Sequence, residues 1–444
     1  MIKQYASLVK EKWQRIIKSS ILRNYLWVFL GQNAGSVFSM ITLIFTLRII
    51  NTEEYASLVV IQAYCLLISN LLSLRTFNGL IKYTTEALIV SDYRRVKQLF
   101  NTALIFDFTA GLASLICGYL FVDTITGLMG WELALKDSLL MYLPVVFFYP
   151  LLNGAPVGIL RKLEKFKQVN LIHASVFGIQ SLALMLLWIS KAENYMIVFL
   201  VYEITEILEC VAVVVLAIYV LQKDSNYSGF WKAGVAFDKG FLKYNLYYGL
   251  MTSFDQLLGN VSTLLINKYI GNFATAYLKV ITKICSVITK LTKPVSQVFY
   301  PELCRWIAEK KYRKSIRVAN QYFGAVNGIG ILIGILFIVC YDSLCFLFGE
   351  TMDGAKIQSL MYLAYSILSV AIVGYNQLVF AMNLMGKSLV LTMICDILYI
   401  VLLIPCIRAW DVFGYLGLQI VQLLIVFGVK CLFIRNELHR KQLN

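Results

Sequence analysis

Charge is scarce in this sequence. Asp, Glu, Lys and Arg make up 15% of its 444 residues, against about 25% in a soluble domain. Only 6 prolines occur, with no Ser/Pro- or Gln-rich tract, which excludes long disordered linkers. The chain has 2 histidines and no Ser/His/Asp, metal-ligand or phosphate-loop arrangement. It therefore reads as a non-enzyme with no metal and no cofactor. None of the 10 cysteines has a C-x-x-C partner. Cys65, Cys117, Cys285, Cys340 and Cys395 stand singly in apolar runs and read as buried thiols. The N-terminus lacks the short apolar core and A-x-A site of a cleaved signal. Residues 2–23 are basic and amphipathic, as expected of a helix lying on the inner leaflet.

What the chain has instead is apolar length. Hydrophobic residues make up 59% of it, and about 20 mostly apolar residues cross the hydrocarbon core of a bilayer. About twelve spans are expected, at 25–47, 55–78, 99–122, 138–160, 169–190 and 195–221, then 244–266, 273–297, 318–341, 357–381, 387–407 and 413–434. The fold class is all-α, a polytopic membrane protein. About 29 of its 40 Lys and Arg fall on one side of this layout. The other side holds Arg48, Lys136, Lys191, Lys268, Lys356 and Arg408. A ratio of about five to one puts both termini in the cytoplasm. Much of the net charge of +15 is then topology, and no nucleic-acid partner is called for.

Sliding the chain by 220 residues aligns several blocks. LRNYLWVFL (22–30) lies over LKYNLYYGL (242–250), Ala56 and Leu58 over Ala276 and Leu278, Gly154 over Gly374, and Lys167 over Lys387. Each unit holds an even number of spans, so two six-helix halves point the same way, with a substrate path expected between them. The expected division is an N-terminal cytoplasmic arm at 1–24, an N-lobe at 25–222, a cytoplasmic linker at 223–242, a C-lobe at 243–434 and a cytoplasmic tail at 435–444.

The eighth span carries Lys279, Lys283, Lys290 and Lys293. At 100° per residue they fall at about 0°, 40°, 20° and −40°, one stripe running roughly 21 Å along the helix. Each lysine near a bilayer centre costs roughly 2.5–3.5 kcal/mol on insertion scales. Lys293 can snorkel to the surface; Lys279 and Lys283 lie deeper, which points to a hydrated cationic path. Snorkelling with local ion pairs is the alternative. Arg75, in the second span, and Arg48 and Lys268, 220 residues apart at span ends, join the candidate cationic set. The two span-end residues read equally well as interfacial anchors. Asp255, Glu203, Glu206, Asp107 and Asp396 are the intramembrane acids and the candidates for H⁺ or Na⁺ coupling. Asp255 also suits a salt bridge to Lys279 or Lys283. Glu203, Glu206 and Glu209 sweep about 120° of helix, so they do not share one face. His173 reads as a hydrogen-bonded packing residue rather than a proton relay. Tyr247, Tyr248, Tyr362, Tyr365 and Tyr375 suit interface belts or sugar stacking.

The segments FLGQNAGSVFSMITLIFTLRIINTEEYASL (29–58), LLINKYIGNFATAYLKV (264–280) and PVSQVFYPEL (294–303) carry a resemblance. The chain resembles the polysaccharide-exporter branch of the multidrug/oligosaccharidyl-lipid/polysaccharide (MOP) superfamily, the Wzx-type O-antigen flippases most of all. The resemblance extends through the number and order of spans. It implies a MATE-like, V-shaped pair of lobes around a central cavity. It also implies export of an undecaprenyl-pyrophosphate-linked oligosaccharide across the bacterial inner membrane, with membrane lipids and other polysaccharide-assembly proteins as partners. A multidrug antiporter shares the architecture, but four stacked lysines repel cationic drugs. A glycan polymerase or ligase calls for larger outer loops bearing acid/base residues, and the longest, 123–137, offers only Asp123, Glu132 and Asp137.

Overall fold

The structure, a computed structural model, describes residues 20–191, 194–352, 354–382 and 384–443. The expected arm at 1–24 lies outside these up to residue 19, as do the side chains of Asp255, Lys290 and Lys293. Among the described residues all regular structure is helical. The long helices are α1 (Ser20–Ile49), α2 (Thr52–Leu72), α3 (Thr76–Ile89) and α4 (Tyr93–Leu120). Four short ones follow: α5 (Val122–Met129), α6 (Leu133–Tyr142), α7 (Val145–Leu152) and α8 (Ala155–Lys162). Then come α9 (Phe166–Ile189), α10 (Tyr195–Lys223), α11 (Lys239–Tyr269), α12 (Asn272–Ala308) and α13 (Tyr312–Val339). The chain ends in α14 (Tyr341–Phe348), α15 (Lys356–Ala371), α16 (Val373–Ala381) and α17 (Met385–Leu443).

Each of the twelve expected positions overlaps helix, but several are not continuous rods. The span expected at 55–78 breaks at Ser73–Arg75, where Arg75 adopts left-handed backbone (φ 46°). The span expected at 138–160 is three short helices interrupted at Pro144 and Gly154. The 59-residue α17 is two helices folded back on each other, since a Cβ on Gly414 would stand 2.0 Å from the Cys406 carbonyl oxygen and Gln422 bonds Asp396. It is interrupted at Trp410 and Asp411, the latter with φ 49°. Among the described residues seven helical runs are long and apolar enough to cross a membrane, or eight if the pair 133–142 and 145–162, bent by 43°, forms one span.

Contacts divide the chain into two compact units. Unit 1 contains residues up to Ile50 together with Ile61–Val261, and unit 2 contains Asn51–Val60 and Ser262–Asn444. The divisions fall inside α2 and α11, whereas the sequence placed a boundary in the linker at 223–242. The first turns of α11 pack on α3: Phe241 and Tyr244 set their rings edge-on to Tyr83, at 5.6 and 6.2 Å. In unit 1, α9 lies along α1, and α4 packs against α3 and α7. Gly111 of α4 permits that last approach, because a Cβ there would stand 2.4 Å from the Phe147 carbonyl oxygen. In unit 2, α12 packs against α15 and α16 around Leu303, Leu378 and Val379.

The linker between α10 and α11 ends on Asp238. Its Oδ1 accepts from the Gly240 and Phe241 N–H groups at 2.8 and 3.1 Å, and its other oxygen pairs with Arg95. Partial burial pushes its pKa up, but the two N–H groups and the guanidinium outweigh that and hold the carboxyl below its ordinary value. A depressed folded-state pKa stabilises above the unfolded carboxylate value of about 3.9 and loses that contribution as pH falls through the folded value. Asp238→Asn should therefore lower thermal stability in detergent at neutral pH, and the gap to wild type should close below about pH 4. Gly111→Ala should lower the unfolding temperature. Gly127→Ala, where an added Cβ meets nothing within 4 Å, should leave it unchanged.

Candidate functional site

Each unit has its own buried polar interior, and the two differ in sign. In unit 1, α10 presents a ladder of polar groups toward α1, α2, α7 and α9. The Tyr149 hydroxyl donates to Glu206 Oε2 at 2.6 Å, and Gln62 Nε2 donates to Glu206 Oε1 at 3.2 Å. Gln62 also donates to the Tyr142 hydroxyl at 3.2 Å. One turn along, Glu203 is 8% exposed. The Thr46 hydroxyl donates to the Thr42 carbonyl at 2.8 Å, so in its 2.9 Å contact with Tyr202 the phenol is the donor. Gln180 donates to Thr205 at 2.9 Å. Glu209 meets His173 Nδ1 at 2.7 Å, which makes that histidine a carboxylate partner. Glu206 and Glu209 thus reach different neighbours, as their place on the 120° sweep requires.

Asp107 sits apart from this ladder. Its carboxylate accepts the Thr76 hydroxyl at 2.8 and 2.9 Å and the Ala155 N–H at 2.6 Å. Thr76 opens α3 and Ala155 opens α8, so one buried carboxylate holds two helix starts. A Cβ on Gly154 would stand 2.0 Å from Asp107 Oδ2. The acid expected to stand alone is a structural clasp.

Unit 2 carries the cations. Lys279 and Lys283 are half-buried on α12, between the buried Tyr277, Leu278, Val280, Ile281 and Cys285. The helix runs unbroken through 290 and 293, so all four lysine positions keep the register of one stripe. Lys430, on α17, is only 9% exposed, and its amine donates to Asn376 Oδ1 at 2.9 Å. Asp396, 5% exposed, accepts from Gln422 Nε2 at 2.7 Å. Beside these lies a hydroxyl cluster. Gln419 donates to the Tyr415 hydroxyl at 2.8 Å, Ser262 meets the Tyr399 hydroxyl at 3.2 Å, and the Tyr362 and Tyr365 rings stand 5.8 Å apart.

The remaining candidates lie elsewhere. Arg75 is at the α2–α3 break and donates from Nη2 to Asn70 Oδ1 at 2.7 Å. Arg48 is exposed with its guanidinium 5.9 Å from the Trp188 ring centre, and Lys268 is exposed over Tyr269 at 5.5 Å. Cations over aromatic rings at helix ends suit interfacial anchors. Asp255, Lys290 and Lys293 are placed only by backbone. Lys430 was missed. It lies inside an expected span, and the rule that flagged the α12 lysines applies to it equally.

A family model described as polysaccharide biosynthesis protein matches residues 21–306, nearly two thirds of the chain. The chain belongs to the polysaccharide biosynthesis protein family. No curated protein matches it in sequence. Among solved structures it is similar to an inward-facing multidrug resistance MATE family transporter of the MOP superfamily (TM-score 0.72, 14% identity, covering 91% of this chain and 95% of that one). It is also similar to the MATE multidrug transporter DinF-BH (0.63, 14%, 95% and 97%). A third is a MOP superfamily transporter from Pyrococcus furiosus Vc1, described as having a binding pocket of reverse polarity that suggests a different function (0.61, 14%, 95% and 95%). At this identity the likeness shows the fold, and the fold is MATE-like. The family match and the long apolar helices make this a multi-pass membrane protein of the polysaccharide biosynthesis family with a MATE-like fold.

The Glu206–Tyr149 bond is open to a double-mutant cycle. Tyr149→Phe and Glu206→Gln, alone and together, should show a coupling of about 1–2 kcal/mol in reversible unfolding from mixed micelles, above the few tenths typical of neutral bonds in membranes. Additive losses would show that the phenol does not hold the carboxylate.

Proposed function

We propose that this protein exports a polyprenyl-pyrophosphate-linked oligosaccharide, an O-antigen or related repeat unit, from the inner to the outer leaflet of the bacterial cytoplasmic membrane. The observation that carries this reading is the set of amines in unit 2. Lys279 and Lys283 are half-buried within an apolar stretch of α12, and Lys430 is buried on α17. Amines at such depth cost free energy on insertion and persist where they serve an anion. A pyrophosphate with two to three negative charges accepts charge-assisted hydrogen bonds from them. Lysine, a hydrated point charge, suits a site that must release its ligand.

In this proposal the head-group site opens alternately to the two leaflets, while the polyprenyl tail stays in lipid. The tyrosines of unit 2 offer faces for sugar rings. Moving negative charge outward against an inside-negative potential yields about 2.3 kcal/mol per charge per 100 mV. Coupling to H⁺ or Na⁺ is a second drive, with Glu206 and Glu203 of the unit 1 ladder as its best-placed acids and Asp255 as a further candidate. The clasp role of Asp107 removes it from that set, and Asp396 stays as a partner of Gln422.

A multidrug antiporter is the second reading, favoured by the buried glutamates of unit 1 and by the multidrug transporters among the structural neighbours. A relative of the same fold with reversed pocket polarity supports a change of substrate sign on this scaffold, which favours the anionic cargo. The two separate in one assay. In proteoliposomes, Lys279→Ala and Lys283→Ala should each cut translocation of a lipid-linked oligosaccharide by about ten- to a hundredfold, the worth of one charge-assisted bond, and Lys→Arg should keep most of it. Undiminished transport by correctly inserted Ala variants would overturn the proposal. Drug efflux by the same vesicles would establish the alternative.

A further inference from the structure

The segment between α10 and α11 was expected to be a cytoplasmic linker, yet it is bound to α4 along its length. Asn101 Nδ2 donates to the carbonyls of Phe230 and Gly234 at 2.8 and 2.9 Å. Thr102 Oγ1 donates to the Gln98 carbonyl of its own helix at 2.8 Å and accepts from the Ala236 N–H at 3.0 Å. Gln98 donates to the Ala233 carbonyl at 3.1 Å, and Lys97 to the Ser228 carbonyl at 3.2 Å. Arg95 pairs with Asp238. Phe230, fully buried, packs its ring edge-on against Phe100, at 5.5 Å. Six side-chain contacts and a core aromatic fix a stretch of about ten residues whose regular structure is one 3-10 turn at Phe230–Ala233.

That docking serves the outward face poorly as a water-facing surface. Trp231 is 54% exposed, Val235 57% and Phe237 81%. Holding three large apolar side chains open to water is costly, and a folded segment with this much order has other ways to turn. The position on α4 explains the choice. Counted from Asn101 at 0°, Gln98 falls at about 60°, Ile105 at 40°, Phe108 at −20°, Leu112 at 20° and Ile116 at 60°. The last four are exposed apolar residues of α4, each between 44% and 51% open, and they form an apolar stripe suited to lipid. The linker therefore docks on the same face, one turn, roughly 6 Å, beyond where that stripe begins.

We propose that residues 230–239 are an interfacial foot, seated in the headgroup zone of an anionic leaflet with Trp231, Val235 and Phe237 among the upper acyl chains. The exposed charges agree. Lys223, Lys232 and Lys239 are open, while Asp224 and Asp238 are partly buried, Asp238 in its pair with Arg95. Tryptophan with flanking lysines is the composition of membrane-interface anchors, and basic residues beside the bilayer draw anionic lipid. The foot continues a surface already suited to lipid.

The experiment compares wild type with Trp231→Phe in vesicles of brominated phosphatidylcholine mixed with phosphatidylglycerol, and reads the tryptophan emission lost between the two. That difference signal should be quenched by bromine placed near the headgroup, less by bromine near the chain end, and not by iodide in the water. Replacing phosphatidylglycerol with zwitterionic lipid should weaken the quenching. Asn101→Ala, which frees two linker carbonyls, should lose it. A difference signal quenched by iodide and indifferent to bromine would overturn the proposal. Equal quenching in the Asn101→Ala variant would show that docking on α4 does not place the foot, and indifference to phosphatidylglycerol would remove the anionic preference.

Discussion

A helix broken inside hydrocarbon exposes backbone groups that no water reaches, and every such group must find a partner within the protein. Asp107 meets that demand for the Ala155 N–H, and the same carboxylate takes the Thr76 side-chain hydroxyl at a second break. α3 and α8 both start inside expected spans, and their opening residues, Thr76 and Ala155, converge on one carboxylate. Glycine at 154 is what lets the carboxylate come so close. A similar solution serves the other side of the α2–α3 break, where Gly249 of α11 lies against the Ser73 and Leu74 carbonyls, 3.1 Å from where a Cβ would be. The breaks are thus held by residues distant in sequence. That is why α11 packs with unit 1 over its first turns, although the internal repeat assigns it to the second half.

Helix content and order were legible because apolar length is a composition property that packing does not override. The breaks were legible only in part. Gly154 and Pro156 stood out in the fourth span, and the break at Asp411 falls between the spans expected to end at 407 and begin at 413, but Arg75 has no local signature of left-handed backbone. Such a position is fixed by what packs against it. The candidate site divides in the same way. The register of Lys279, Lys283, Lys290 and Lys293 follows from helix geometry alone, and α12 keeps it. Which acid does what did not follow. Asp107 and Asp396 look alike in sequence as isolated carboxylates in apolar runs, and only their partners separate a clasp on a helix start from a group held by an amide. Gln62 and Tyr149 carried no signal at all, since neutral polar residues are common in membrane helices.

The two interiors have opposite characters, although the halves are repeats in sequence. Glu203, Glu206 and Glu209 line one helix of unit 1, and their partners are phenols, an amide and an imidazole. Unit 2 holds Lys279, Lys283 and Lys430 among tyrosines. A shared fold therefore says little about cargo, and the sign of the buried charge says more.

On the proposed reading, that sign also sets how tightly the cargo is held. Each charge-assisted bond from a lysine contributes about 1.5–3 kcal/mol, so Lys279 and Lys283 together hold a pyrophosphate by about 3–6 kcal/mol. Two to three charges moving outward gain about 5–7 kcal/mol per 100 mV. Drive and grip are of the same size, so a membrane potential offsets release without a second ion. Bidentate guanidinium pairs at both positions would add geometric specificity and strength, and the balance would shift toward retention. Two amines on one helix face, spaced by a single turn, grip an anion firmly enough to replace its lost water and loosely enough to let it go.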